Sequence, residues 1–387
     1  MVQRYMKIIH MADSHLGFSA YNKVDLWGRN LVEEKFYEGF TQAIDKIIKD
    51  IRPDAIIHAG DVFHHVRPKI RTLYIFKREL EKLSKAGVPT IIISGNHDAP
   101  KASSTASPFT LFEGLRDIHI VHNNEYQGIK IGDYVFHCIP FCLNNEAYLE
   151  QFNKIEPSGS DVLVMHGLIE SLRAKRLRTV GEHELSDSFL KSYFSYIALG
   201  HYHNQAQVAR NAWYSGSIEY FNFGEASDRK GILQVDLDTN KVEQIDLRPK
   251  YMIDRPPIDC SGLSSMDLAE KLLILCDKEE IKDKIIRINL KNVSRPAFKS
   301  IDQTNITKLG SSALFLKIKI DYIDEKDKYG VQLDPTRLDE AFAKFLEEES
   351  LKDRMPKAIK EDVMVYGTDV MKKAIVKHNT GRLNASE

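Results

Sequence analysis

The chain has few of the residues that build disulfide frameworks or membrane spans. Its only cysteines are Cys138, Cys142, Cys260 and Cys276, at spacings unlike those of a zinc or redox motif. We therefore expect buried, reduced thiols. No apolar run of about 18 residues is free of charge, and the N-terminus lacks the apolar core of a signal peptide. These absences predict a cytoplasmic protein that does not enter a membrane.

An excess of one charge is also missing. The formal net charge is -1, from 54 basic and 55 acidic residues. A uniformly basic surface is thereby excluded, so any affinity for DNA has to come from local patches. The 387 residues are 43% hydrophobic and 28% charged, which is the composition of a globular protein with two or three domains.

Five short polar clusters punctuate the first half of the chain. Four of them follow apolar runs typical of buried strands, and the fifth follows the mixed stretch 196–199. The clusters are Asp13-Ser14-His15, Gly60-Asp61, Gly95-Asn96-His97-Asp98, His166-Gly167 and Gly200-His201-Tyr202-His203. Because several strand ends of one sheet can converge on a single point, we expect these metal-ligand residue types to form one site.

The residue types of the clusters indicate the ion and the reaction. Imidazole nitrogens with carboxylate or amide oxygens, and no thiolate, suit divalent manganese, iron or zinc. A carboxylate can bridge two ions, and Asp61 is the natural candidate. Two ions about 3.5–4 Å apart can stabilise the attacking and leaving oxygens of a displacement at phosphorus and activate water near neutral pH. The clusters therefore predict phosphoester hydrolysis.

The order Asp-x-His, Gly-Asp, Gly-Asn-His-Asp, His-Gly and Gly-His-x-His resembles the calcineurin-like metallophosphoesterases over residues 6–225. Within them, segments 9–17 and 60–64 look like those of the SbcD-type nucleases, which act in double-strand-break repair with a coiled-coil ABC ATPase. The resemblance implies an α/β fold class, namely a four-layer α/β/β/α metallophosphoesterase sandwich with a smaller α+β cap domain and C-terminal helices.

Carried over residue by residue, the resemblance implies two divalent metal ions, with Mn2+ as the expected metal. It implies that one ion is bound by Asp13, His15, Asp61 and His203, and the other by Asp61, Asn96, His166 and His201. His97 matches the histidine that protonates the leaving oxygen or stabilises the charged phosphate, and Asp98 matches the carboxylate that orients its imidazole. His64 matches a residue that contacts the substrate phosphate.

Three further histidines, His10, His58 and His137, lie inside apolar strand-like runs. A histidine in such a run more often packs in the core than binds a ligand. We therefore expect these three side chains to be buried and assign them no catalytic role.

The pattern of strands and helices divides the chain into three parts. Strand-like runs alternate with helical patterns at 30–50 and 69–86, and strands after residue 205, among them 231–235, are expected to complete a second sheet. Prolines at 248–257 mark a boundary. We assign 1–250 to a metallophosphoesterase nuclease domain, 251–325 to an α+β cap domain that contacts DNA, and 326–387 to a C-terminal helical segment that binds the ATPase partner.

The resemblance also implies partners, namely DNA, an SbcC-type coiled-coil ABC ATPase and a second copy of the chain. The apolar stripe of helix 69–86 fits either a core-facing helix or a homodimer interface. The amphipathic stretches 334–346 and 356–378 fit either docking on the ATPase or packing on the cap domain.

Three local features fit contact with nucleic acid as well as a simpler interpretation. The basic group of Arg173, Lys175, Arg176 and Arg178 fits phosphate contact or a solvated face. The aromatic residues of loop 16–30 either face nucleic acid or pack inward. Lys317 and Lys319 share one face of a predicted strand, which either meets phosphate or is its solvated side.

The predicted function is that of a two-metal DNA nuclease, with 3′-to-5′ exonuclease activity on duplex ends and endonuclease activity on single strands or hairpins. It would act in DNA double-strand-break repair with its ATPase partner. Three alternatives stay open: a phosphatase or small-molecule phosphodiesterase with the same metal cage, a scaffold that has lost catalysis, and a related nuclease with a different partner. The intact ligand set argues against the scaffold, and the segments after residue 255 argue against the phosphatase.

Overall fold

The computed structural model describes residues 6–100, 105–172, 184–302, 304, 308–323, 342, 362–363, 365–370 and 372–373. The basic group Arg173, Lys175, Arg176 and Arg178 lies outside these residues, and so do most of 334–346 and 356–378. The residues of these stretches that are described, 342, 362–363, 365–370 and 372–373, are helical as predicted. What the sequence indicates for the others stays a prediction.

Eighteen strands and six α-helices have defined bounds within the described residues. The strands are β1 (Lys7–Met11), β2 (Ala55–His58), β3 (Thr90–Ile93), β4 (Ile118–Val121), β5 (Gln127–Ile131), β6 (Tyr134–Ile139), β7 (Asp161–His166), β8 (Leu168–Ile169), β9 (Glu184–Leu185), β10 (Tyr196–Gly200), β11 (Ala206–Ala209), β12 (Ala212–Tyr214), β13 (Gly231–Asp236), β14 (Lys241–Asp246), β15 (Met252–Asp254), β16 (Ile258–Asp259), β17 (Ile285–Val293) and β18 (Phe315–Tyr322). The helices are α1 (Leu31–Lys46), α2 (Ile70–Ala86), α3 (Asn145–Phe152), α4 (Ser265–Leu275), α5 (Lys278–Ile281) and α6 (Arg295–Lys299).

Two six-stranded sheets carry the first part of the chain. The first has the order β14-β13-β1-β2-β3-β4, and the second has the order β11-β12-β10-β7-β6-β5. The central strands of both sheets are parallel. One prediction was wrong: the strand at 231–235 does not join the second sheet, because β13 pairs antiparallel with β1 in the first.

The layers follow from where the apolar side chains are buried. Helices α1 and α2 cover the outer face of the first sheet, where Phe40 and Phe76 meet Ile56. A second cluster lies between the sheets, and a third, which includes Tyr148 of α3, covers the outer face of the second sheet. Because both faces of the parallel strands are covered, the strands are nearly continuous apolar runs. The predicted α/β/β/α layering is confirmed.

Local sequence signals set the ends of the two long helices. The side chain of Asn30 accepts hydrogen bonds from the backbone N–H groups of Val32 and Glu33 and so caps the start of α1. Helix α1 continues as the π-helical turn Ile47–Ile51. Helix α2 ends at Gly87, whose φ of 66° is the left-handed conformation that glycine adopts without strain.

A third sheet follows after residue 251. Strands β15, β16 and β18 all pair parallel with β17. Helix α4 begins with a capping box between Ser264 and Asp267 and packs its Leu268 and Leu272 into a separate core. The segment thus has its own hydrophobic core, and the division of the chain at residues 250 and 325 remains a prediction.

The remaining expectations concern burial. The four cysteines are free and buried, as predicted. The imidazoles of His10, His58 and His137 are also buried, as predicted. The aromatic residues of loop 16–30 do not all behave alike. Phe18 packs inward on Phe36, whereas Trp27 is 77% exposed. No helix among the described residues is long and apolar enough to cross a membrane.

Candidate metal centre

The polar clusters lie where parallel strands of both sheets end. Asp13 and His15 follow β1, Asp61 follows β2, and residues 96–98 follow β3. From the second sheet, His166 ends β7, and His201 and His203 follow β10. Because the two sheets face each other, the carboxyl ends of their strands meet at one edge of the sandwich, which is the usual place for a site in such folds.

The backbone at this edge adopts conformations that are unusual for residues with a side chain. The φ angles of Asp13, His15, Asp61 and His201 are 52°, 39°, 54° and 97°. Such conformations cost about 1–3 kcal/mol each and persist where the surrounding structure enforces them. Here the loops hold each other, since the N–H of Asp13 donates to the Gly60 carbonyl and that of His15 to the Asp61 carbonyl, both at 3.0 Å.

Asp13, His15 and His203 form the first group of possible metal ligands, with ligand atoms within 4.8 Å of one another. Nε2 of His15 and Nε2 of His203 are 3.3 Å apart. The Asp13 carboxylate accepts hydrogen bonds from the N–H of His201 at 3.0 and 3.1 Å. All three residues were predicted to bind the same ion.

Asp61, His166 and His201 form the second group, again with ligand atoms within 4.8 Å of one another. Asn96 joins them, because its Oδ1 lies 3.0 Å from His166 Nε2 and 2.9 Å from His201 Nδ1. The Nδ1 of His166 lies 2.8 Å from the Ala59 carbonyl. A carbonyl only accepts, so the Nδ1–H of His166 donates to Ala59, and Nε2 is the nitrogen that faces the oxygens of Asn96 and Asp61. Burial opposes protonation of this imidazole, but Asp61 raises its pKa to about 9, so a bound metal would take the place of a proton on Nε2.

Asp61 lies between the two groups. Its Oδ2 is 3.5 Å from His15 Nε2 and 3.4 Å from His166 Nε2. Its Oδ1 accepts the backbone N–H of His97 at 2.8 Å. Burial by itself would raise the pKa of this carboxyl, but His166 and then His15 lower it well below its usual range. Asp61 is therefore ionised and placed to be shared by two cations.

His97 and His64 lie beside the first group. Nδ1 of His97 is 2.9 Å from the backbone carbonyl of His64, so this nitrogen donates and Nε2 is left unprotonated in the neutral ring. The two rings stack with their centroids 5.4 Å apart, and ligand atoms of His15, His64 and His97 lie within 4.8 Å of one another. Burial, followed by His65 and His97, lowers the pKa of His64 to about 4, so this imidazole is neutral at neutral pH.

Asp98 is placed differently from the prediction. The expected contact with the imidazole of His97 is replaced by backbone hydrogen bonds: Oδ1 accepts the N–H of Phe63 at 2.7 Å, and Oδ2 accepts those of Val62 and Gly95 at 3.0 Å. The reason is geometric, since the turn after β3 points this carboxylate inward, where it is fully buried. Asp98 ties the loop of Asp61 to the loop of His97, and the His64 carbonyl orients the imidazole.

Sequence reasoning missed two residues behind His203. Glu225 Oε1 lies 3.1 Å from His203 Nδ1, and Lys230 donates to Glu225 Oε2 at 2.8 Å. Burial opposes ionisation of Glu225, but the contacts with His203 and Lys230 lower its pKa below the usual value. Neither residue belongs to one of the five polar clusters, so no motif in the sequence pointed to them.

Gly60 has no room for a side chain. Its φ is +95°, and a Cβ there would overlap Nδ1 of His166 and come within 3.0 Å of the Gly95 Cα. We expect Gly60→Ala to lower the free energy of unfolding by about 1–3 kcal/mol and to weaken metal binding, because His166 has to move. Melting temperatures with and without added Mn2+ measure both effects.

Gly132 provides the matched control for this prediction. Its φ of +60° is also left-handed, but nothing lies within 4 Å of the position that a Cβ would take at this turn. Gly132→Ala should therefore lower the melting temperature without changing the increase that Mn2+ produces. An equal response to Mn2+ in both variants would show that the space around Gly60 does not matter for the site.

Comparison with known proteins decides the family. Residues 6–237, more than half of the chain, match the family described as calcineurin-like phosphoesterase. The chain belongs to the calcineurin-like phosphoesterases. The predicted family resemblance is thus confirmed, and the members of this family are hydrolases that use divalent metal ions. The donor set of this phosphoesterase fits such ions, because it offers imidazole nitrogens and carboxylate and amide oxygens in two groups.

Several curated relatives resemble this phosphoesterase over much of its length. A DNA double-strand break repair protein Mre11 of Methanococcus maripaludis is 30% identical over 65% of this chain and 69% of its own. The protein of the same name in Sulfurisphaera tokodaii is 28% identical over 85% of this chain and 84% of its own. SbcD, a component of the nuclease SbcCD of Staphylococcus saprophyticus, is 27% identical over 64% of this chain and 71% of its own.

Proposed function

We propose that this phosphoesterase is a two-metal DNA nuclease that acts in double-strand-break repair. The observation that carries the proposal is the position of Asp61 between two groups of ligand side chains. The names of the relatives supply the substrate, since proteins called DNA double-strand break repair protein Mre11 align with as much as 85% of the chain. The expected activities are 3′-to-5′ exonuclease on duplex ends and endonuclease on single strands or hairpins.

The ligand assignment is the one expected from the sequence. Asp13, His15, Asp61 and His203 would hold one ion, and Asp61, Asn96, His166 and His201 would hold the other, with Mn2+ as the expected metal. When bound, such a pair supplies Lewis acidity to the phosphoryl group and lowers the pKa of water. The contribution of the chain is to hold these donors at fixed positions and to keep Asp61 ionised between them.

His97 and His64 would act on the phosphodiester itself. The His64 carbonyl fixes the tautomer of His97, so its Nε2 can take up a proton and pass it to the leaving oxygen. The side chain of His64 would contact the phosphate. Asp98 would contribute indirectly, by holding the loop of His97 against that of Asp61.

The DNA would be held by local features, since the net charge of -1 gives no general attraction. Lys317 and Lys319 are exposed on one face of β18, and we propose that they contact phosphates. The exposed Trp27, with the Arg29 guanidinium 4.7 Å from its ring centroid, is a second candidate contact.

Two protein partners belong to the proposal. Helix α2 buries Phe76 and Leu80 but leaves Ile70 85% and Tyr74 64% exposed. We propose that these two apolar side chains lie in a homodimer interface. The amphipathic stretches after residue 333 would bind an SbcC-type coiled-coil ABC ATPase, which would control the access of DNA.

Removal of residues 334–387 is expected to separate nuclease activity from partner binding. We expect the shortened chain to keep its Mn2+-dependent activity on DNA, because every proposed ligand lies before residue 204. Capture of the ATPase by the shortened chain should fall at least about tenfold, since a helix-in-groove contact would be lost. Unchanged capture would show that these stretches pack on the chain itself.

The proposed function is tested by hydrolysis of end-labelled duplex DNA with Mn2+, Mg2+ or a chelator. An aryl phosphodiester and a phosphomonoester are assayed in parallel. Mn2+-dependent shortening of the DNA supports the nuclease. Cleavage of the small esters alone would leave the metal centre in place and assign the chain to the phosphatases or small-molecule phosphodiesterases.

A further inference from the structure

Glu225 holds His203 from the side opposite the metal centre. Its Oε1 lies 3.1 Å from His203 Nδ1. Because an ionised carboxylate only accepts, the hydrogen of the imidazole is on Nδ1 and the lone pair is on Nε2. That Nε2 lies 3.3 Å from Nε2 of His15, within the group that includes Asp13. The contact with Glu225 therefore presents the lone pair of His203 to the proposed ion.

Lys230 holds His203 in two ways, through Glu225 and through the backbone carbonyl of His203. The lysine is only 7% exposed. Its Nζ donates to Glu225 Oε2 and Ser217 Oγ, both at 2.8 Å, and to the backbone carbonyl of His203 at 2.9 Å. A buried ammonium is costly unless it is paired and hydrogen-bonded. These three contacts satisfy the charge and join His203 to Glu225.

The surroundings make this arrangement rigid. Glu225 ends the short 3₁₀ turn Phe223–Glu225, which is capped by the side chain of Asn222. Glu225 Oε2 also accepts the backbone N–H of Phe221 at 3.1 Å. The ring of Phe221 packs on that of His203 with the centroids 4.3 Å apart. The imidazole is thus held at its edge by a carboxylate and on its face by an aromatic ring.

We propose that Glu225 and Lys230 are positioning residues that set the tautomer and ring orientation of His203 and thereby control the affinity of one metal position. The inference rests on the proposed two-metal function. Partners of metal-bound histidines typically contribute about 10–100-fold to metal affinity. His166, in the other group, is held by the Ala59 carbonyl instead. The loss of Glu225 should therefore affect one position and leave the other unchanged.

The test is a calorimetric Mn2+ titration of the metal-free full-length chain. We expect Glu225→Ala to lose about 10–100-fold in affinity at one of two positions. Glu225→Gln should lose less, because an amide oxygen still accepts from Nδ1 but carries no charge. Glu243→Gln is the matched control, since Glu243 pairs with Lys241 on the exposed edge strand β14. It should bind Mn2+ like the unsubstituted chain.

Electron paramagnetic resonance adds a readout whose recovery at excess Mn2+ distinguishes a weakened position from a general loss of structure. Two nearby Mn2+ ions give a coupled spectrum, so the Glu225 variants should show the signal of isolated Mn2+ at metal concentrations that fill both positions of the unsubstituted chain. Excess Mn2+ should restore the coupled spectrum. Lys230→Met should give the same loss at the same position.

The outcomes separate this inference from the proposed function. Two unchanged affinities in Glu225→Ala would overturn the positioning role. An unsubstituted chain that binds fewer than two Mn2+ ions would instead overturn the two-metal proposal. The melting temperatures of the metal-free variants check the fold. If Glu225→Ala is destabilised, Glu225→Gln, which keeps the size of the side chain, decides the question.

Discussion

His97→Ala is expected to lower the rate of DNA hydrolysis by about 10²–10⁴-fold while leaving Mn2+ binding unchanged. The magnitude is that of a positioned acid–base group. The imidazole of His97 contacts the His64 carbonyl through Nδ1, and it belongs to neither group of proposed ligands. Its removal should therefore affect the proton transfer to the leaving oxygen and not the ions. The measurements are single-turnover rates on end-labelled DNA and a Mn2+ titration.

His119→Ala is the control, because His119 is exposed on strand β4. It should match the unsubstituted chain in both measurements. If His97→Ala retains full activity, His97 has no part in the reaction. If it loses Mn2+ as well as activity, the ring of His97 contributes to metal binding, since its ligand atom lies within 4.8 Å of those of His15 and His64.

Asp61→Ala is expected to abolish DNA hydrolysis and to weaken both metal positions by more than about 100-fold. Loss of a residue that only orients a ligand typically costs about 10–100-fold, and Asp61 would contact both ions directly. Its Oδ2 is 3.5 Å from His15 Nε2 and 3.4 Å from His166 Nε2. Without this carboxylate, two cations would face each other with less negative charge between them. Calorimetric titration and metal content after dialysis measure the effect.

Asp61→Asn separates charge from shape, since an amide keeps the hydrogen bond to the N–H of His97. We expect it to lose metal nearly as completely as Asp61→Ala. Asp45→Asn, at a carboxylate of helix α1 that pairs with Lys49 and Lys82, should have no effect on the ions. A variant of Asp61 that still binds two ions at full affinity would show that this residue is not shared.

The sequence was most informative where ligand residues follow apolar runs. Strands β1, β2, β3 and β7 are short and fully buried except at Lys7, so their ends were visible as a change from apolar to polar residues. The approach of Asp13 to Asp61 then follows from the parallel pairing of β1 with β2. His166 reaches them from the second sheet, so the expectation that the strand ends of one sheet form the site held only in part. Local sequence therefore carried most of the site.

Contacts between segments that are distant in the chain could not be predicted from the sequence. Nothing in the sequence 231–236 tells which sheet it joins, because an apolar strand fits either, and the pairing of β13 with β1 is a tertiary choice. Asp98 is next to His97 in the chain, yet its oxygens accept hydrogen bonds from the N–H groups of Val62 and Phe63. Glu225 reaches His203 from 22 residues away.

The aromatic cluster between the metal centre and the third sheet has a consequence for shortened versions of the chain. Phe18 lies 5.0 Å from the ring of His64, and Phe221 lies 4.9 Å from that of His15. Both belong to a cluster that Met252, Ile285 and Leu314 complete from the third sheet. A chain that stops near residue 250 would leave this cluster open to water beside its own reaction centre. We therefore expect the smallest working unit of the chain to extend at least through strand β18.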